Sequence, residues 1–236
     1  MGVDDSMARF AVISDLHGNS ANFRAIAEAV RGRVDSIILT GDYLEAKISK
    51  KDMIPGSVWP PEDVVGHDPD LWSRLARCVL VRGNQEERIA TLLGGRTVPG
   101  LAPLLAAPAR WSTPLTRFEH GHRFVWARDG DVLTHPVLDE EAGGPVVVHG
   151  HSHRRMLTLG RAEPEPEPGP GPEPGPYRAV PVTGRVHRLP PHGIRVVNAG
   201  AACEAAAHWV LYDEEARTVT FETAGGTGTT GETGEG

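Results

Sequence analysis

Cysteine is scarce in this chain: two residues, Cys78 and Cys203, among 236. A disulfide framework needs more, so the pair reads as two buried thiols in a reducing compartment. Long apolar runs are missing as well. No stretch approaches the ~20 residues of a membrane span. The first nine residues carry Asp4 and Asp5 and no apolar core of the kind a secretory leader needs. The expected location is the cytoplasm, with no membrane partner. Positive charge is in deficit, the formal net charge being -7. A general nucleic-acid binder usually carries the opposite sign, so that class is set aside. A small phosphorylated molecule stays admissible, because bound cations dominate their local field.

What is present is an ordinary soluble composition, 39% hydrophobic and 23% charged, in a length that suits one large α/β domain. Arg9 to Ile13 is a short apolar run that predicts a buried strand. Phe23, Ile26, Ala27 and Val30 then share one helical face, with Asn19 or Ser20 as cap and Gly32 near the end. Ser36 to Thr40 and Cys78 to Val81 predict two further strands, with Leu71 to Ala76, Gln85 to Leu93 and Leu101 to Ala106 as helices. Glu45 to Asp70 reads as a long irregular loop overhanging a site. The second half predicts a hairpin, Phe124 to Ala127 with Val132 to Thr134, and strands at 146–148, 193–197, 208–212 and 218–222.

Two segments carry no core-forming pattern. Glu163 to Pro176 is a Pro, Glu and Gly tract, read as an expanded surface loop, and the Gly- and Thr-rich 223–236 segment is expected to be a disordered tail. Residues 1–8 read as a flexible N-terminus, leaving 9–222 as the folded domain.

Acids, imidazoles and an amide stand after the predicted strands. Asp15 and His17 follow the first, Asp42 the second and Asn84 the third; His135 follows the hairpin, and His151 and His153 the next strand. Carboxyl ends of neighbouring strands converge on one crevice, and borderline divalent metals favour imidazole and carboxylate. Together these residues predict a dinuclear metal site.

Ser14-Asp15-Leu16-His17-Gly18-Asn19, Gly41-Asp42, Gly83-Asn84, Thr134-His135 and Gly150-His151-Ser152-His153 resemble the calcineurin-like metallophosphoesterase superfamily. The likeness spans about Phe10 to Phe221 and is greatest to small bacterial phosphoesterases of the YfcE and diadenosine-tetraphosphatase-like kind. Asn198-Ala199-Gly200 resembles their N-P-G turn, with alanine for proline. The resemblance implies a four-layer αββα sandwich of two mixed β-sheets flanked by helices. It also implies two divalent metal ions, Mn, Fe, Zn, Co or Ni, with Mn favoured. Asp15, His17 and His153 would hold one and Asn84, His135 and His151 the other, with Asp42 bridging. Water activated by the pair would cleave a phosphate ester of a small metabolite or nucleotide, a monoester slightly favoured over a diester.

One position departs from that pattern. Many members carry a leaving-group histidine directly after Gly-Asn; here it is Gln85, which can only hydrogen-bond. Asp42, Asn84 and Gln85 are therefore the catalytic candidates, with doubtful strength toward poor leaving groups. A scaffold that kept the fold without catalysis, or a protein phosphatase, are the alternative readings. Arg82, Lys47 and Lys50 are candidates for phosphate contact. His149 is expected to support its strand from the far face. His67, His120 and His122 are expected in solvated loops.

Overall fold

A computed structural model describes residues 8–138, 144–160 and 177–225. The expected flexible N-terminus to residue 7, the 163–176 tract and the tail from 226 lie outside the described residues.

The first half alternates strand and helix: β1 (Arg9–Ile13), α1 (Ser20–Ala29), β2 (Ser36–Leu39), α2 (Pro61–Val64), α3 (Pro69–Leu75), β3 (Val79–Leu80), α4 (Asn84–Leu93) and α5 (Ala102–Leu105). The second half is all strand: β4 (Arg110–Ser112), β5 (Thr116–Glu119), β6 (Val125–Asp129), β7 (Val132–Val137), β8 (Val146–His149), β9 (Arg155–Gly160), β10 (Tyr177–Val180), β11 (Val186–Arg188), β12 (Arg195–Ala199), β13 (Ala207–Asp213) and β14 (Thr218–Ala224). They form two mixed six-stranded sheets, β11-β14-β13-β1-β2-β3 and β10-β9-β12-β8-β5-β4, and a separate β6–β7 ribbon. With the helices that flank them, this is the expected α/β sandwich.

Strand alternation builds the layers. Phe10 and Val12 of β1 join Ile38, Val210 and Tyr212 against Phe118, Val148, Leu157 and Val197 of the other sheet. Ala11 and Ile13, pointing the opposite way, join Leu39 and Trp209 beneath Phe23 and Ile26 of α1, Leu75 of α3 and Ile89 of α4. A strand buried on both faces must be apolar, and β1 is so from Phe10 to Ile13, with only Arg9 exposed at its start.

Local signals set the element ends. The Asn19 side chain accepts from the Asn22 N–H at 3.0 Å and caps α1. Gly94, at φ +57°, ends α4 in the left-handed conformation. Three expectations shift. The 45–70 segment is not a bare loop: it carries α2, a 3-10 turn at Lys50–Asp52 and an Ala46–Val65 bridge. Strands β4, β5, β9, β10 and β11 come in addition to those expected. The last strand runs two residues past 222, with Thr223 opposite His208 and Ala224 opposite Ala207.

Strand direction decides where functional side chains can gather. β1, β2 and β3 are mutually parallel, as are β5, β8 and β12. The carboxyl ends of each parallel set therefore lie on one edge of its sheet, where crevices form.

Candidate metal centre

Two groups of metal-binding side chains converge at these strand ends. Asp15, His17 and His153 form one, and Asp42, His120 and His151 the other; within each, the donor atoms lie within 4.8 Å of one another. Asn84 joins the second group, its Oδ1 3.1 Å from His120 Nε2. The same nitrogen is 3.2 Å from Asp42 Oδ2 and 3.3 Å from His151 Nδ1. Asp15 Oδ1, 4.0 Å away, links the two groups. Six of the seven ligand candidates read from the sequence are thus brought together.

His135 is not, and its place is taken by His120. His135 stands on β7 opposite Ala127 of β6. The preceding residue, Trp126, packs on His149 and His151 with ring centroids 5.5 and 6.2 Å apart. Opposed residues share a face and neighbours along a strand alternate, so His135 lies on the side away from the crevice. His120 is no solvated loop residue: it follows β5 directly and is 1% exposed. The signal that could have found it is the one used elsewhere, a histidine at a strand's carboxyl end. It escapes the sequence reading because the strand before it does. His122 is not a free solvated side chain either. Its ring centroid is 5.4 Å from that of His120, and its Nε2 lies 3.3 Å from Glu87. His149 is wholly buried, as expected, donating from Nδ1 to the Gly150 carbonyl. His67 packs edge-on against Trp72.

The backbone is bent to aim these donors. Asp15, His17, Asp42, His151 and His153 all have positive φ, from 49° to 73°, and the only other described non-glycine residue so placed is Arg217. Such conformations cost about 1–3 kcal/mol each and persist only where the surroundings enforce them. Here the enforcement is visible. The N–H groups of Asp15 and His17 bond the Gly41 and Asp42 carbonyls at 3.1 and 2.9 Å. Glu86, 0% exposed, accepts from the N–H of Asp42, Gly83 and Leu44, each at 2.9 Å. Nothing in the sequence singles out its position. Gly150 has to lack a side chain: an added Cβ would fall 1.7 Å from Ser14 Oγ and 2.4 Å from Asp15 Oδ2.

The donors are oriented as a metal requires. Asp42 Oδ1 accepts from the Gln85 N–H at 2.8 Å, leaving Oδ2 toward His120. Asp15 Oδ2 accepts from the His151 N–H at 2.9 Å, leaving Oδ1 toward His153 Nε2 at 3.3 Å. His120 Nδ1 donates to the Thr40 carbonyl at 2.9 Å, which turns Nε2 inward. His17 Nδ1 pairs with Glu45, and its Nε2 is buried with no hydrogen-bond partner among the described residues. The gaps around His120 Nε2 come close to the edge of a tetrahedron of metal bonds, about 3.3–3.6 Å. An imidazole, carboxylate and amide donor set of this kind fits a divalent cation.

The titration behaviour says the same. Burial raises the Asp15 pKa, but His153 and His120 outweigh it and hold the carboxyl at about 2. Burial lowers that of His120, but Asp42 and Asp15 outweigh it and push the imidazole up to about 9. Burial and the His120 charge hold His151 down at about 4. Two buried acids demand positive charge, which an imidazolium supplies when no metal does.

Other expected contacts lie nearby or elsewhere. Gln85 is buried, and its side-chain oxygen accepts from the Ala46 N–H at 3.2 Å. Arg82 sits 3.7 Å from Glu87, which also pairs with Arg123. Lys47 donates to the Glu62 carbonyl within its own segment, and Lys50 lies exposed in the 3-10 turn.

The profile of the calcineurin-like phosphoesterase family matches residues 8–196, well over half the chain. The chain belongs to this family. It is a metal-binding phosphoester hydrolase of that family, which implies a dinuclear divalent metal centre. Among solved structures, a metallophosphoesterase from Sphaerobacter thermophilus matches at 17% identity over 92% of this chain and 87% of its own, with a TM-score of 0.57. That is a likeness of fold. The E. coli phosphoesterase YfcE matches at 16% identity over 87% of this chain and 88% of its own, with a TM-score of 0.42. A search of curated proteins finds no match. Among the described residues of this phosphoesterase, no helix is long and apolar enough to cross a membrane.

Proposed function

We propose that this phosphoesterase is a dinuclear, manganese-favouring phosphohydrolase acting on a small phosphorylated metabolite or nucleotide, monoesters ahead of diesters, in the cytoplasm. The observation that carries it is the meeting of two donor groups, with Asp42 Oδ2 and Asp15 Oδ1 both facing His120 Nε2. Asp15, His17 and His153 would hold one cation in this reading, and Asn84, His120 and His151 the other, with Asp42 available to both. Bound cations would lower the pKa of water and draw charge from phosphoryl oxygens.

The chain's own residues supply orientation. Thr40 and Glu45 fix which nitrogen His120 and His17 present. Glu86 and the Gln85 N–H hold the Asp42 backbone and one of its oxygens, so the other needs no reorganisation to bind. Asn84 contributes a neutral oxygen, which keeps the pair from being over-neutralised. Gln85 has no proton to give at neutral pH, and its amide oxygen is engaged by Ala46. Esters with good leaving groups are therefore the favoured substrates. The net charge of -7 disfavours polyanions, in keeping with a small substrate.

The test is hydrolysis of p-nitrophenyl phosphate and its bis ester by the manganese-loaded protein, with Asp42→Asn as control. Turnover of the monoester that Asp42→Asn removes is the expected result. A metal-loaded wild-type protein silent on every phosphate ester tried would overturn the reading.

A further inference from the structure

A third group of donors stands at the rim of the crevice: His153, Cys203 and Glu204, again within 4.8 Å of one another. It takes one histidine from the metal centre and adds a thiol that the hydrolytic reading does not use. Cys203 and Glu204 follow β12, on a loop that is firmly held. The Cys203 N–H bonds the Asp15 carbonyl at 3.0 Å, and the Ala202 N–H bonds the Ser14 carbonyl at 2.9 Å. Asn22 of α1 donates from Nδ2 to both the Ala202 and Glu204 carbonyls, each at 2.8 Å. The group is therefore built onto the tip of β1 and the start of α1. It is also accessible: the His153 side chain is 42% exposed, and Glu204 faces solvent.

We propose that His153, Cys203 and Glu204 form a separate site for a thiophilic divalent cation of the zinc or cadmium class, and that its occupation inhibits the enzyme by withdrawing His153.

The donor chemistry selects the class. Thiolate with imidazole favours soft and borderline ions, whereas manganese and magnesium favour oxygen. Binding needs the thiol deprotonated: the S–H bond breaks, the proton goes to solvent, and sulfur bonds the cation with no change of oxidation state. Burial and the charges of Glu204, Asp15 and Glu45 hold the thiol up from its ordinary value. That same negative surrounding attracts the cation which displaces the proton.

The shared histidine gives the consequence. A neutral imidazole has one nitrogen lone pair to offer, its other nitrogen carrying hydrogen. His153 serves Asp15 and His17 or Cys203 and Glu204, not both. A cation on the Cys203 side removes a donor from the metal centre. The inhibition rests on the two-metal reading above; the site itself does not.

Cadmium titration separates the two. Wild-type protein should develop a thiolate-to-cadmium charge-transfer absorption in the ultraviolet, saturating at one thiolate per chain. Cys78→Ser should keep it, and Cys203→Ser should lose it. With manganese, Cys203→Ser should hydrolyse p-nitrophenyl phosphate as wild type does. It should need at least about tenfold more cadmium for half-inhibition, the least that losing even an outer partner costs. Absorption that is absent from wild type, or that persists in Cys203→Ser, would overturn the site. Absorption as expected with unchanged cadmium sensitivity would overturn the competition for His153. An inactive but cadmium-absorbing protein would leave the site standing and sink the hydrolytic reading instead.

Discussion

The buried carboxylate of Glu86 accepts the backbone N–H of Asp42 at 2.9 Å, across 44 residues of sequence. One of its oxygens serves Asp42 and Gly83, and the other serves Leu44. Glu86→Gln keeps the shape but turns an NH2 toward at least one N–H donor. An unsatisfied buried donor costs about 1–3 kcal/mol. The variant should unfold at lower temperature by that equivalent, and its metal affinity should fall about 10–100-fold. Thermal unfolding and metal titration measure the two. A variant with wild-type affinity would show that Asp42 holds its conformation unaided.

Histidine substitutions distinguish the residue after β5 from the one on β7. His120→Ala should reduce metal affinity and turnover by more than the roughly 100-fold upper range for losing an outer partner. His135→Ala should leave both within about twofold, a difference below 0.5 kcal/mol at RT ≈ 0.59 kcal/mol. Metal content per chain after dialysis gives the direct readout.

Metal binding should strengthen with pH. His120 is held up at about 9 by Asp42 and Asp15, so a cation must displace its proton at neutral pH. Affinity should climb toward about pH 9 and level off above it. Calorimetry in buffers of different ionisation heat would record the released proton. The metal-free protein should behave in the opposite sense. A pKa raised in the fold contributes stability that is complete below the ordinary 6.5 and is lost as pH rises through about 9. Thermal unfolding of the metal-free protein should therefore fall over that range, and a flat profile would argue against a charged His120.

Leaving-group chemistry tests Gln85. General acid catalysis contributes about 10²–10⁴-fold, and this side chain is tied to Ala46 without a titratable proton. Turnover of p-nitrophenyl phosphate should exceed that of an alkyl phosphate by at least about 100-fold. Equal rates would reveal another proton donor.

The legible parts of the sequence are those where one pattern dominates. β1 is apolar on both faces from Phe10 to Ile13 and is followed by Asp15 and His17, as β2 is followed by Asp42. β5 is hidden because Thr116 and Phe118 point inward while Arg117 and Glu119 point outward, over four residues only. With β5 unseen, His120 has no strand end to follow, and the hairpin histidine His135 is read in its stead. Glu86 is unreadable for another reason. An acid in the first turn of a helix ordinarily faces water near the positive end of the dipole. Only the folding of Asp42, Leu44 and Gly83 around it makes it internal.

The left-handed bends at five donors carry a cost for the enzyme as a material. Each is a point where glycine would sit with less backbone tension. Replacing His17 or His153 by glycine should therefore give a metal-free protein that is tougher than the parent and hydrolytically dead. Selection for robustness alone would erode this crevice first, and only the demand for turnover keeps it tense.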